Sequence, residues 1–363
     1  MALQLITRVL DCASGHMGLL TLGCSYERGP ALSKQAERHP SIIVIAVVVF
    51  LTTSVRGEDV VLPCPEGLLD STTAITNGLS DTRDGGTVHL GPCTYYLTRA
   101  VEARWNHHGA IKGKGRELTF IKILPGAKID GVPMAAWAED IGFTPSWSTL
   151  FLFENPESGD ITISDLSIVV TDPEPAGLQD SIPDDDDWWK GSLYNMIVVT
   201  GPRVDTHFER SSFRGAAGNF FGFNVAHVNH VFNFPPTKGN HTVRDCNFES
   251  VGVTVNPSQF IGGVITVTDN TFKNTFYGPV IEDCSDCNVR ISGNSISEVQ
   301  SAGIILVRTG KVSLEPSTYL IEHNSIYASD IPADKGIVVT DDFEGSEIKI
   351  QDNEIDLTEN TSQ

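Results

Sequence analysis

The chain has 363 residues, with 25 Lys and Arg against 46 Asp and Glu, a formal net charge of −21 at pH 7. That excess repels phosphate backbones and anionic lipid surfaces, which argues against nucleic acid as a partner and suits a solvated acidic surface, a salty medium or capture of divalent cations. The length admits two average domains or one long solenoid, so the residue pattern has to decide.

In chain order, the first feature is the run IIVIAVVVFL at 42–51, which follows Lys34, Arg38 and His39 and leads to Val55 and Gly57, small residues suited to a signal-peptidase site. About ten apolar residues are too few for a bilayer core of roughly 30 Å. Residues 1–57 therefore read as a leader cleaved from a secreted protein, with a retained membrane anchor as the alternative, and the fold is sought in 58–363. Cys64, Cys93, Cys246, Cys284 and Cys287 lie beyond that point, an odd number that leaves one buried and free in an oxidising compartment. Cys64 and Cys93 flank the first segment and are expected to bridge, closing an N-terminal cap in which Leu68 to Gly78 forms a short amphipathic segment. Cys284-x-x-Cys287 has no second pair at zinc spacing, so it is either a local disulfide or two buried thiols, and no metal is assigned to it.

Further along, one phrase recurs: apolar, two polar, Asn, polar, apolar. It reads VTDNTF from Val267, ISGNSI from Ile291, IEHNSI from Ile321 and IQDNEI from Ile350, with weaker copies VRDCNF from Val243, FERSSF from Phe208 and ISDLSI from Ile163. Positions 246, 270, 294, 324 and 353 of this column lie 24, 24, 30 and 29 residues apart, about one coil of a three-sided solenoid each. Each copy suits a short strand, a sharp bend and another short strand, and no helical period accompanies them, so the fold class is all-β. At the bend, Asn270, Asn294, Asn324 and Asn353 are expected to take the left-handed conformation and to pass amide hydrogen bonds to one another, roughly 4.8 Å apart, a structural role rather than a catalytic one.

A second column opens strands between these bends: Gly222-Phe-Asn-Val, Gly252-Val-Thr-Val, Gly278-Pro-Val-Ile, Gly303-Ile-Ile-Leu and Gly336-Ile-Val-Val. With both columns present, the sequence resembles the pectate-lyase-like right-handed parallel β-helix superfamily across most of 58–363, including GGTVHLGPCTYYLT at 85–98 and IKGKG at 111–115 as the opening segment. The Gly-x-Gly of Gly113 and Gly115 is a turn between strands, because no helix signal follows it to receive a phosphate.

The resemblance implies a glycan cleft on the outward side of the Gly-led strands. Counting five residues on from each glycine gives His227, Pro257, Asp283, Arg308 and Asp341, so Asp283, Arg308 and Asp341 are expected within roughly 10 Å of one another, with Glu282 and Asp342 beside them. In a lyase of acidic polysaccharide, the carboxylates would hold a cation such as calcium against the sugar carboxylate while a base takes the α-proton, and Arg308 would have to lose its own proton to be that base. In a hydrolase, Asp283 with Asp341 or Asp342 would flank the scissile bond about 5 to 9 Å apart. The Asp341-Asp342 pair lacks the Asn-Thr-Asp and Gly-His neighbours of polygalacturonase-like enzymes, and the Asp-Pro-His signature of mannuronan epimerases is missing. The alternative is that these charges pair with one another in a non-catalytic surface, adhesin or spacer protein.

His227 and His230 fall on opposite faces of a strand by their spacing. All five Trp lie outside the rungs: Trp105 near the cap, Trp137 and Trp147 in one insertion, and Trp188 and Trp189 in another that carries DDDDWW at 184–189. That second insertion either stacks a sugar ring and binds calcium or folds back over a coil. Asn240-His-Thr and Asn360-Thr-Ser are glycan acceptor sequences.

Overall fold

The computed structural model describes residues 57–358 apart from 125–126, 128–130, 134–145, 171–193, 216–222, 225–226, 229–237, 252–254, 258–259, 276, 300, 309–314, 330–335 and 341–342. Residues 1–56, Asp341, Asp342, Trp137, Trp188, Trp189, His230 and Asn360 thus lie outside the described residues.

Short strands stack in parallel on three faces. Among the described residues the first face holds ten strands, from Val60–Leu62 to Glu347–Gln351, and the second holds nine, from Thr94–Leu97 to Glu354–Thr358. The third is divided into a seven-stranded sheet, which includes Val101–Ala103, Ser146–Glu154 and Tyr194–Thr200, and a three-stranded sheet of Val280–Glu282, Ile304–Val307 and Ile337–Val339. Among the described residues all strand pairings are parallel except that of Gly131–Pro133 with the start of Ser146–Glu154. Parallel strands joined by crossovers wind right-handed, and the chain is a right-handed parallel β-helix.

The seven sequence phrases stack in the register the sequence predicts. Ile163, Phe208, Val243, Val267, Ile291, Ile321 and Ile350 are successive pairing partners on the first face. On the second face, Ile168, Phe213, Phe248, Phe272, Ile296, Ile326 and Ile355 are too. The rings of Phe213, Phe248 and Phe272 stack with centroids 5.2 and 4.8 Å apart, so identical side chains one rung above another fill the interior as a column.

At the bend between these faces the Asn ladder is continuous. Asn270 Nδ2 donates to Asn294 Oδ1 at 3.0 Å, Asn294 Nδ2 to Asn324 Oδ1 at 2.8 Å, and Asn324 Nδ2 to Asn353 Oδ1 at 2.9 Å. Each Oδ1 also accepts the backbone N–H of the preceding Asn, and Asn270 Oδ1 accepts that of Cys246. One expectation is corrected: the left-handed residue is the one before each ladder position. Asp165, Arg210, Asp245, Asp269, Gly293, His323 and Asp352 have φ between 49° and 67°. That residue turns the chain outward, which frees the next side chain to point into the interior, where Asn270, Asn294 and Asn324 are each 1% exposed.

The glycine column has a steric cause. A Cβ on Gly278 would lie 1.9 Å from the carbonyl oxygen of Gly303, and one on Gly303 would lie 2.5 Å from that of Gly336, so successive coils touch backbone to backbone there.

A helix, Thr72–Thr82, sets Ile75 and Leu79 into the core at the first coils. It begins later than the segment expected from the sequence, because Asp70 Oδ1 accepts the Thr72 N–H at its start and leaves Leu68 and Leu69 exposed. Cys64 bonds to Cys93 and Cys284 to Cys287, and Cys246 is free and buried, its thiol pushed up to about 12, chiefly by burial.

Candidate functional site

Val280–Glu282 pairs with Ile305–Val307 in the strand Ile304–Val307, and Ile304–Leu306 pairs with Ile337–Val339. The glycine-based alignment of these three coils is therefore the structural one. The side it assigns is not. Ile281 and Leu306, three residues after their glycines, point into the interior at 1% and 0% exposure. Side chains alternate along a strand, so the fifth residue lies on the same inward side. Asp283 and Arg308 are accordingly 4% and 8% exposed, and the outward rows are instead Val280, Ile305, Val338 and Glu282, Val307, Thr340.

Asp283 occupies the bend into the first face, with φ 48°, and its N–H donates to the Val307 carbonyl at 3.0 Å. The Cys284–Cys287 disulfide follows directly and fixes the bend, with Cα atoms 5.9 Å apart. Beside it the Arg308 guanidinium reaches inward. Its Nη2 donates to the carbonyls of Cys284 (3.3 Å) and Glu315 (3.2 Å) and to Ser346 Oγ (3.1 Å), and its Cζ lies 5.0 Å from the centroid of the Phe343 ring. The Arg308 backbone N–H donates to Thr340 Oγ1 at 3.0 Å. The Cys284 carbonyl also accepts from Ser317 Oγ and from the Tyr319 phenol, which burial pushes up from its ordinary pKa. Arg308 thus braces consecutive coils through donors that only the protonated guanidinium supplies in full. Glu282, half-buried, is the acidic side chain on the outward row.

His227 pairs with Val198 on one side and Asn256 on the other, so Pro257 stands opposite Val228, one residue away from the sequence alignment. The glycine-based alignment therefore slips by one residue between these two coils. Trp105 is partly buried, with its ring edge-on to His107. Among the described residues no group of three His, Cys, Asp or Glu is arranged to hold a metal ion.

Two interior histidines were not singled out in the sequence. His107 is fully buried beside Phe153, and burial first, then the His108 charge, holds its pKa down at about 4. His241 is buried edge-on to Phe260 with Nδ1 bonded to Thr206 Oγ1, and burial followed by the His207 charge lowers it to about 3. For His241 the signal was present: it stands two residues before inward-pointing Val243 and so points inward too.

No known family model and no curated protein matches the sequence. Among solved structures the chain is similar to the Agl-KA catalytic domain, at 11% identity over 83% of this chain and 68% of that one, with a TM-score of 0.24. It is similar also to the A-modules of the mannuronan C-5 epimerases AlgE6 and AlgE4 of Azotobacter vinelandii, at 12% and 14% identity. These cover 85% and 84% of this chain and 97% and 96% of theirs, with TM-scores of 0.21 and 0.20. What decides the fold is the chain's own three stacked faces and Asn ladder. The fold is a right-handed parallel β-helix. Among the described residues, the end of the third face brings together the outward Glu282 carboxylate, the left-handed bend at Asp283 and the Cys284–Cys287 disulfide.

Proposed function

We propose that the chain is a secreted carbohydrate-active β-helix protein, a lyase or hydrolase that takes an acidic polysaccharide across the third face. The observation that supports this reading is the outward row of Glu282, Val307 and Thr340 beside the disulfide-fixed Asp283 bend. A preorganised, rigid edge is what a polymer-binding cleft requires. Asp341 and Asp342, next in the chain after Thr340, supply the further carboxylates of the proposal, and Trp188, Trp189 and His227 supply its sugar contacts. Arg308 acts in it as a positioning residue that holds the bend. An acidic protein and an acidic polymer repel, so calcium bridging the two sets of carboxylates is part of the reading. The two disulfides support passage through an oxidising compartment.

The test is incubation of the folded chain with neutral and acidic polysaccharides, with and without calcium, following the absorbance of unsaturated uronic products and new reducing ends. Unsaturated product lost in Asp283→Asn or Glu282→Gln supports a lyase, and reducing ends alone support a hydrolase. One observation favours a second reading, a non-catalytic surface or spacer protein: the Arg308 cation is spent on brace bonds within the coil. Absence of turnover across the panel, with the circular dichroism of a folded β protein, would select it.

A further inference from the structure

We propose that Asn240 carries an N-linked glycan on the outer side of the first face; the proposal rests on the secretion reading above. The sequence Asn240-His241-Thr242 has the acceptor spacing, and the fold supplies two independent reasons to take it as a site.

The first is what the asparagine does for the fold. His108 pairs with Asp160, Asp160 with Asp205, and Asn240 continues this outward column one residue before the pair Thr206 and His241. Asp205 Oδ1 accepts the Asn240 N–H at 2.6 Å, and Asn240 Oδ1 accepts the Val264 N–H at 3.1 Å. Both bonds use a carboxyl-type oxygen, and aspartate serves in the neighbouring rung. Among the described residues the fold makes no use of Asn240 Nδ2, which sits on an exposed residue beside Val264, itself 44% exposed. The amide nitrogen is thus the one feature that asparagine adds to this column, and it is the atom that N-glycosylation modifies.

The second is where the fold forbids such sequences. Each ladder Asn is followed at two positions by an inward residue of the second face, Phe272, Ile296, Ile326 or Ile355, so the acceptor hydroxyl cannot occur there. Hydroxyls stand instead at the first following position, as in Asn270-Thr271, Asn294-Ser295 and Asn324-Ser325. Asn240 precedes a first-face strand, where the second following position, Thr242, belongs to an outward column shared with His207 and Thr266. Register therefore keeps acceptor sequences out of the buried ladder and allows one on the surface.

In the transfer, a bond forms between Asn240 Nδ2 and C1 of the first sugar. The bond from C1 to the phosphate oxygen of a polyprenyl-pyrophosphate oligosaccharide breaks, the lipid pyrophosphate leaves, and one amide proton is lost. Attachment before folding leaves His241 free to bury later, since Nδ2 stays outside. The sugar then covers Val264 and screens this part of the first face from a bound polymer.

The full chain is expressed with its own leader in a eukaryotic secretory host, and the peptide containing Asn240 is read by mass spectrometry before and after enzymatic release of N-glycans. The expected result is a hexose- and N-acetylhexosamine-bearing peptide in which release of the glycan converts the Asn240 side chain to a carboxylate. Asn240→Asp and Thr242→Ala should each remove one glycan's mass and keep the chain folded, while Thr242→Ser keeps the glycan. Chain recovered from the medium with Asn240 bare, while a control glycoprotein from the same cells is modified, overturns the glycan alone. Chain found only in the cytosol overturns the secretion reading and the glycan with it.

Discussion

Replacing Asn294 with Leu tests the claim that the ladder, and not merely apolar stacking, holds the coils. Asn294 Oδ1 is the acceptor for both the backbone N–H and the Nδ2 of Asn270, at 3.0 Å each, and its Nδ2 donates to Val267 O at 2.9 Å and Asn324 Oδ1 at 2.8 Å. Leucine keeps the volume and suits the site, since Leu166 occupies the equivalent position fully buried. The substitution leaves the buried Asn270 N–H without an acceptor, at about 1–3 kcal/mol, and gives up three side-chain bonds at about 1 kcal/mol each. The expected loss is therefore about 5 kcal/mol, far above what a volume-matched swap alone would cost. Urea unfolding followed by far-ultraviolet circular dichroism measures it, with the slope checked because a stacked-coil protein can unfold in parts. Leu166 costs nothing comparable because no amide neighbour depends on it, so the penalty comes from breaking a ladder rather than from lacking one. A loss below about 1 kcal/mol would refute this account.

Three further outcomes follow from the same structure. His107 and His241, held near 4 and 3 when folded, return to 6.5 when unfolded; the unfolded chain thus binds protons first as pH falls, and stability drops by about 1.4 kcal/mol per pH unit per histidine below 6.5 until each folded value is reached. Urea midpoints measured between about pH 7 and 5 should show that fall, and His241→Leu should halve its slope. Arg308→Met, which removes the guanidinium bonds to the Cys284 and Glu315 carbonyls and to Ser346 Oγ, should lower stability by about 3 kcal/mol at about 1 kcal/mol per bond, read in the same denaturation experiment, and Arg308→Lys should recover only part of it. Opening the Cys64–Cys93 bridge by Cys64→Ser releases a loop with sequence separation 29; about 3 kcal/mol of stability should be lost, and differential scanning calorimetry should show the midpoint falling.

The architecture was legible in the sequence because a β-helix repeats one physical problem at every rung. Each coil needs an apolar residue before the bend, an interior amide at it and another apolar residue after it, so Val267, Asn270 and Phe272 announce the same arrangement that Ile291, Asn294 and Ile296 repeat. The glycine column was legible for a similar reason, since contact between Gly278 and Gly303 leaves no room for a side chain.

The candidate site was less legible. Alternation in a sequence has a period but no absolute phase, so counting from Gly278 and Gly303 aligned Asp283 with Arg308 and still put them on the wrong side of the strand. The inward positions of Ile281 and Leu306 set the phase, and they are fixed by what the other two faces pack against them. The left-handed residue before each ladder Asn was likewise invisible as a motif, because Asp269, Gly293 and His323 share a backbone conformation rather than a side chain. Sequence alone determined the repeat, the register of the coils at the Asn bend and the buried amide column, all of which depend on neighbours one coil away and similar in kind. Tertiary structure alone decided which residues face the solvent at the third face, because that depends on bends and packing between faces that no single repeat contains.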